Sequence, residues 1–220
     1  MAIILNIDTA VDSASVSLAK DGVTIQHAVN EAKKGDAAWL HIAVKKMLEE
    51  IEMATKDLEA VAISIGPGSY TGLRVGLSTA KGLCFALNIP LIAVNTLKMM
   101  AYSIKEEETD LICPLIDARR MEVFTAVYDK SLTEIIKPSA LIIDSNSFST
   151  LLESSKIAFM GNGSAKLREL VHHPNARFST IKATAADMTQ LSESYFNKAI
   201  WADLAYAEPF YLKEFYSPTR

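Results

Sequence analysis

The stretch ISIGPGSYTGLRVGL, residues 63–77, decides the fold. An apolar run suited to a buried strand ends in Gly66, passes through Pro67 and Gly68, and turns into an apolar-periodic segment that reads as a helix over 72–87. Glycines at such a junction permit positive φ and close backbone approach, and the helix start offers free amides to an anion. Ser69 and Thr71 are placed to donate hydroxyl hydrogen bonds or to cap the helix. Two readings stay open: a tight strand-to-helix turn, or a loop that contacts phosphate with Arg74 one turn further on. The stretch is not a Walker A loop, because no Lys-Ser/Thr pair follows a correctly spaced glycine. It is not a dinucleotide fingerprint either, since Thr71 stands in the third glycine's place.

Working outward, residues 2–8, 13–19 and 23–29 read as strands, the last two joined by the turn signal Lys20-Asp21-Gly22. Asp36 is expected to cap a helix over 36–53. Strands follow at 60–65 and 90–94, and a short helix starts near Thr96. The order is βββαβαβα. The second half carries a worn copy of it. ILNIDTAVDSASVSLAKD (4–21) matches CPLIDARRMEVFTAVYD (113–129), placing Asp117 where Asp8 stood. The opening stretch matches IAFMGNGSAKLREL (157–170), pairing Gly66 and Gly68 with Gly161 and Gly163. The charged run at 106–110 breaks the apolar pattern, which places lobes at 1–105 and 106–220. The expected fold class is α/β: tandem ribonuclease-H-like lobes of the actin/sugar kinase/Hsp70 superfold, with the ligand cleft between them.

Half of the 220 residues are hydrophobic and 22% are charged, enough for a sizeable core and far from a disordered composition. A formal net charge of −4 excludes a generally basic nucleic-acid binder. The N-terminal apolar run is broken at Asn6 and Asp8 and lacks a basic start, so it reads as a buried strand and not a signal peptide. No apolar stretch approaches the ~18 residues of a membrane span. Cys84 and Cys113, each within an apolar segment, read as buried thiols of a cytoplasmic protein.

Asp8, followed by Thr9, either orders its own hairpin or faces a ligand. Asp117 with Arg119 and Arg120 serves either the cleft or local salt bridges, with Glu122 as an internal partner. His27, His41, His172 and His173 include no i,i+4 pair, so no metal site is expected. No nucleophile motif is present. In the helix from Gly72, Arg74, Ser78 and Lys81 share a polar sector of only ~60° with Phe85. Gly72, Gly76 and Ala80 form a small-residue stripe beside Leu77, and Trp39, Leu40, Ala43 and Met47 broaden the apolar face of the preceding helix. Both helices carry more apolar surface than one sheet needs, so these eight positions are expected to bind a partner, or else to be buried under the second lobe.

ILNIDTA (4–10), AISIGPGSYTGLRVGLSTAKGLCFALNIPLIAVNTL (62–97), LIDARRMEVFTAVY (115–128) and PFYLK (209–213) resemble, in order, the signature blocks of the TsaB/YeaZ family. That resemblance implies a non-catalytic scaffold that dimerises through the two N-lobe helices with a paralogous TsaD-like catalytic subunit and works with a TsaE-like ATPase. Such a complex transfers a threonylcarbamoyl group to the tRNA adenosine beside the anticodon. It further implies that tRNA is met only through the complex, that a homodimer forms when the chain is alone, and that any ATP or ADP sits at a subunit interface, with no cofactor required on this chain. The chain departs from the family pattern in three places: Tyr70 replaces the usual Phe, Asp36-Ala37-Ala38 replaces His-Ser-Glu, and Lys213 stands where arginine is common. The competing expectation is an actin-like small-molecule kinase or nucleotide hydrolase using Asp8 and Asp117 around magnesium.

Overall fold

The computed structural model describes residues 2–32 and 36–213. In chain order the elements are β1 (Ile3–Asp8), β2 (Ser15–Lys20), β3 (Val23–Val29), α1 (Asp36–Glu50), β4 (Ala60–Gly66), α2 (Tyr70–Leu87), β5 (Leu91–Asn95) and α3 (Thr96–Ser103). The second lobe repeats the series: β6 (Leu111–Asp117), β7 (Glu122–Asp129), β8 (Glu134–Ile142), α4 (Ser149–Ser154), β9 (Ile157–Met160), α5 (Ser164–Leu170), β10 (Ala176–Phe178) and α6 (Thr189–Asn197).

Each lobe holds one five-stranded mixed sheet, ordered β3-β2-β1-β4-β5 and β10-β9-β6-β7-β8, so β1 corresponds to β6 and β4 to β9. In both, the first three strands run antiparallel and the last two join in parallel. The duplication read from sequence is therefore real at the level of topology. It reaches single residues: Asp8 and Asp117 end equivalent strands, and Gly66 (φ 124°) and Gly161 (φ 92°) both leave their strands at positive φ.

Boundaries follow local chemistry. The β2–β3 hairpin turns on Asp21 and Gly22, both at positive φ, the conformation a two-residue hairpin demands. Helix α2 begins at Tyr70, two residues before the position expected, because the Ser69 hydroxyl accepts from the Gly72 amide and serves as N-cap. Helix α1 ends at Glu50, short of Met53, and Glu52 turns to φ 56° just beyond it. The capping role expected of Asp36 lies outside the described residues.

Three cores result. One lies outside the first sheet, where Leu40, Val44, Met47, Leu77 and Cys84 of the helices meet Leu5, Ile7, Val16 and Ile63. A second does the same for α4 and α5 on the second sheet. The third joins the lobes. There α3 packs on strands of both sheets, while α6, although it follows the second sheet in the chain, packs on β1, β3 and β5 of the first. The last described segment also returns to the first lobe: Ala202 bridges to Leu91, and the Phe210 amide donates to the Ile65 carbonyl at 2.7 Å. Among the described residues no helix is long and apolar enough to cross a membrane.

Candidate functional site

The expected residues separate into three places. The first is the turn at the end of β1. Asp8 is 2% exposed, and its Oδ1 accepts from Ser64 Oγ at 2.5 Å and from the Ala10 amide at 3.0 Å. Burial is the main reason its pKa is raised, against the lowering effect of those two hydrogen bonds; Asp12 and Asp187 add to the rise. Thr9 is buried and donates to the Gly72 carbonyl at 2.7 Å. The Ser69 amide donates to Ala10 O at 2.7 Å, the Gly66 amide to Thr96 Oγ1 at 3.1 Å, and the Gly72 amide to Ser69 Oγ at 3.2 Å. So Asp8, Thr9, Gly66, Gly68, Ser69 and Gly72 do converge, and the polar groups of the turn are largely spent on one another. A β-carbon on Gly68 would overlap the Ala10 carbonyl, which is why the loop needs glycine there. Thr71 points to solvent. Beside Asp8 lies a void of about 20 Å³ lined by Val11, Met99, Met100 and Met160, room for one water molecule.

The second place is the β6–β7 turn. Asp117 does not join Asp8. Its Oδ1 receives Lys166 Nζ at 2.5 Å and the Arg119 amide at 2.6 Å. Partial burial opposes ionisation, but these bonds and the nearby positive charges together hold its pKa below the usual value. Arg119 and Arg120 are exposed on the turn, and Lys213 pairs with Glu122 at 2.6 Å. Asn162 links the two turns: its amide donates to Asp12 at 3.1 Å, and its carbonyl accepts from the Asp117 amide at 2.8 Å. Sequence reasoning missed Ser64, Asn162 and Lys166, each of which acts only through a residue more than forty positions away.

The third place is the pair α1 and α2, where the sequence reading needs correction. Leu40, Ala43, Met47, Leu77 and Ala80 are buried against the chain's own sheet, and Trp39 packs on the same cluster. The Gly72 and Gly76 stripe receives Thr9: a β-carbon on Gly72 would overlap Thr9 O, and one on Gly76 would overlap Thr9 Oγ1 and reach Ile63 Cδ1 at 2.9 Å. The expected partner face is thus the inner face, because the incoming end of β1 uses the apolar arc that periodicity alone left unassigned. The narrow polar sector of α2 is also occupied. Lys81 donates to the carbonyls of Ala205 and Ala207, and Arg74 lies 4.1 Å over the Tyr70 ring and donates to Tyr211. What the pair turns outward is different: Ile42 is 66% exposed and Phe85 82% exposed, and a separate groove of about 480 Å³ is lined by His41, Val44, Lys45, Leu48, Met53 and Leu83.

Cys84 and Cys113 are buried free thiols, pushed up to about 11 and about 12 by burial, the state expected from sequence. Among the described residues no three His, Cys, Asp or Glu side chains are grouped to hold a metal ion.

A family model described as TsaD, tRNA N6-adenosine threonylcarbamoyltransferase, matches residues 29–214. The chain is 30% identical over 171 residues to the tRNA threonylcarbamoyladenosine biosynthesis protein TsaB of Bacillus subtilis, an alignment covering 76% of this chain and 74% of that one. It is 34% identical over 128 residues to the TsaB protein of Escherichia coli, covering 58% and 55%. Its fold matches that of YeaZ from Pseudomonas aeruginosa with a TM-score of 0.84 and 24% identity, over 96% of this chain and all of that one. Together with the two-lobe topology, these likenesses show that the chain belongs to the TsaB/YeaZ family.

Proposed function

We propose that this chain acts in tRNA threonylcarbamoyladenosine biosynthesis as a non-catalytic subunit, docking a TsaD-like transferase on the outward face of α1 and α2. The names borne by its relatives support the pathway. The observation that carries the docking role is the exposure of the large apolar side chains Ile42 and Phe85 on the two helices, since such groups left bare on a surface are ordinarily covered by a partner. In this reading a TsaE-like ATPase joins the assembled pair, tRNA is met through the complex, ATP or ADP sits at a subunit interface, and the same face closes a homodimer when the partner is absent. The setting is the cytoplasm, where the tRNA is.

The competing kinase or hydrolase reading requires Asp8 and Asp117 to share a magnesium ion. It is disfavoured by their separate hydrogen-bond networks and by the water-sized void at Asp8. Co-purification from the native lysate tests the proposal: a stable complex with the TsaD-like subunit is expected, with tRNA modification lost on depletion and negligible phosphate release by the chain alone. Separate elution of the two proteins across physiological salt, or metal-dependent phosphate release abolished by Asp8→Ala, would overturn it.

A further inference from the structure

Outside the β2–β3 hairpin, the β6–β7 turn holds the one pair of consecutive left-handed residues among the described residues. Arg119 (φ 71°) and Arg120 (φ 52°) are consecutive left-handed residues, neither of them glycine, asparagine or aspartate. A β-carbon disfavours that conformation, and the loop of residues 119–121 between the paired Ala118 and Glu122 holds it without a glycine. The turn is held in spite of this by the Asp117 carboxylate, which accepts from the Arg119 amide, and by the bonds between residues 118–119 and Glu122. Neither side chain is needed for packing, since both are exposed. A strained surface turn that presents two arginines to solvent points to a role for the side chains themselves.

The charges around it are arranged to the same end. Asp117 is neutralised by Lys166, and Glu122 by Lys213 of the returning tail. Among the described residues neither Arg119 nor Arg120 has an ion pair. Two guanidinia thus stand together on a chain whose net charge is −4, the Arg119 charge also reaching the Asp117 carboxylate. They border an open groove of about 820 Å³ whose floor is apolar, with Met121 44% and Ile142 72% exposed. None of its lining residues lines the void at Asp8.

We propose that the Arg119–Arg120 turn is an RNA contact site, its guanidinia on successive backbone phosphates and the Met121–Ile142 floor against a ribose or base. Planar guanidinium forks match phosphate oxygens, and an apolar floor beside them suits an unstacked nucleotide. The assignment rests on the tRNA-modification reading, and it names where this chain touches the substrate within the complex.

The test replaces the pair with uncharged residues that tolerate the left-handed region, Arg119→Asn with Arg120→Gly. Binding of an unmodified tRNA transcript is measured as a function of salt, with the chain alone at low salt and with the TsaD-like complex. The double variant is expected to melt no lower than wild type and to co-elute with the TsaD-like subunit as before. It should bind tRNA about 10-fold or more weakly, with the slope of log K on log salt shallower by about 1.5–2. Lys137→Asn, on β8 away from the turn, is expected to change neither. Unchanged affinity and slope in the folded double variant would overturn the site, as would an equal loss from Lys137→Asn. Displacement of tRNA by poly-glutamate at matching charge concentration would overturn it in favour of an acidic polypeptide ligand. Failure of the wild-type chain to assemble would count against the docking role alone, because the measurement on the isolated chain still decides the turn.

Discussion

Gly76 and Thr9 are in such close contact that the space a β-carbon would take on Gly76 is already filled by the Thr9 hydroxyl. Gly76→Leu is therefore expected to damage the fold, by about 3 kcal/mol or more, whether or not any partner is present. Gly82, on the same helix, has nothing within 4 Å of its would-be β-carbon. Gly82→Ala is expected to stabilise by about 0.5–1 kcal/mol through helix propensity. Thermal unfolding of the two variants checks both; a Gly76→Leu protein that melts like wild type would show that the stripe is not filled from within.

Asp8 supplies a pH dependence with a definite sign. Burial raises its folded pKa above the ordinary carboxylate value of 3.8, so the folded state binds more protons between the two values. Its contribution to stability is most favourable below 3.8 and declines as pH rises through the folded pKa. Asp187, raised mainly by burial, adds to the same trend, while Asp117 and Asp129, both lowered, act in the opposite sense and only below 3.8. Asp8→Asn keeps an oxygen to accept from Ser64 and Ala10 and removes the charge. Urea unfolding at several pH values is expected to give a flatter decline for this variant; an unchanged slope would mean that Asp8 is not the titrating group.

Docking on the outward face of α1 and α2 is tested without touching the core. Ile42→Glu and Phe85→Glu should leave thermal stability within about 0.5 kcal/mol, as expected of exposed positions. Each should weaken co-elution with the TsaD-like subunit at least 10-fold. A folded double variant that still assembles at wild-type strength would move the interface elsewhere.

The returning tail hangs on few bonds. Lys81→Ala removes the donor to the Ala205 and Ala207 carbonyls. The expected loss is about 1 kcal/mol. Limited proteolysis should cut between residues 203 and 213 sooner in this variant, and equal protection would show that the Leu91–Ala202 bridge and the Phe210–Ile65 bond suffice.

How much of this was legible depended on distance along the chain. The strand-turn-helix of residues 63–77 reads directly, because glycines, an N-cap serine and a change of apolar period are local signals. The duplication was legible because Asp8 and Asp117, and Gly66 and Gly161, recur with the elements that carry them. The inward use of Gly72, Gly76 and Leu77 was not, since periodicity shows that a face is apolar and not what covers it. Asp8 stood out, whereas its partner Ser64 is an ordinary strand serine until the parallel pairing of β1 and β4 brings them together. Tyr211 and Lys213 gave no periodic signal at all, because an extended tail takes its structure from the surface it crosses.

The placement of α3 and α6 has a mechanical consequence. Each helix lies in the seam between the sheets, and one of them comes from each half of the chain. Swinging the lobes apart would draw Met99, Met100, Met188 and Leu191 out of a common dry interior at once. Opening the seam would therefore expose apolar surface from both halves of the chain together, which couples the two lobes mechanically.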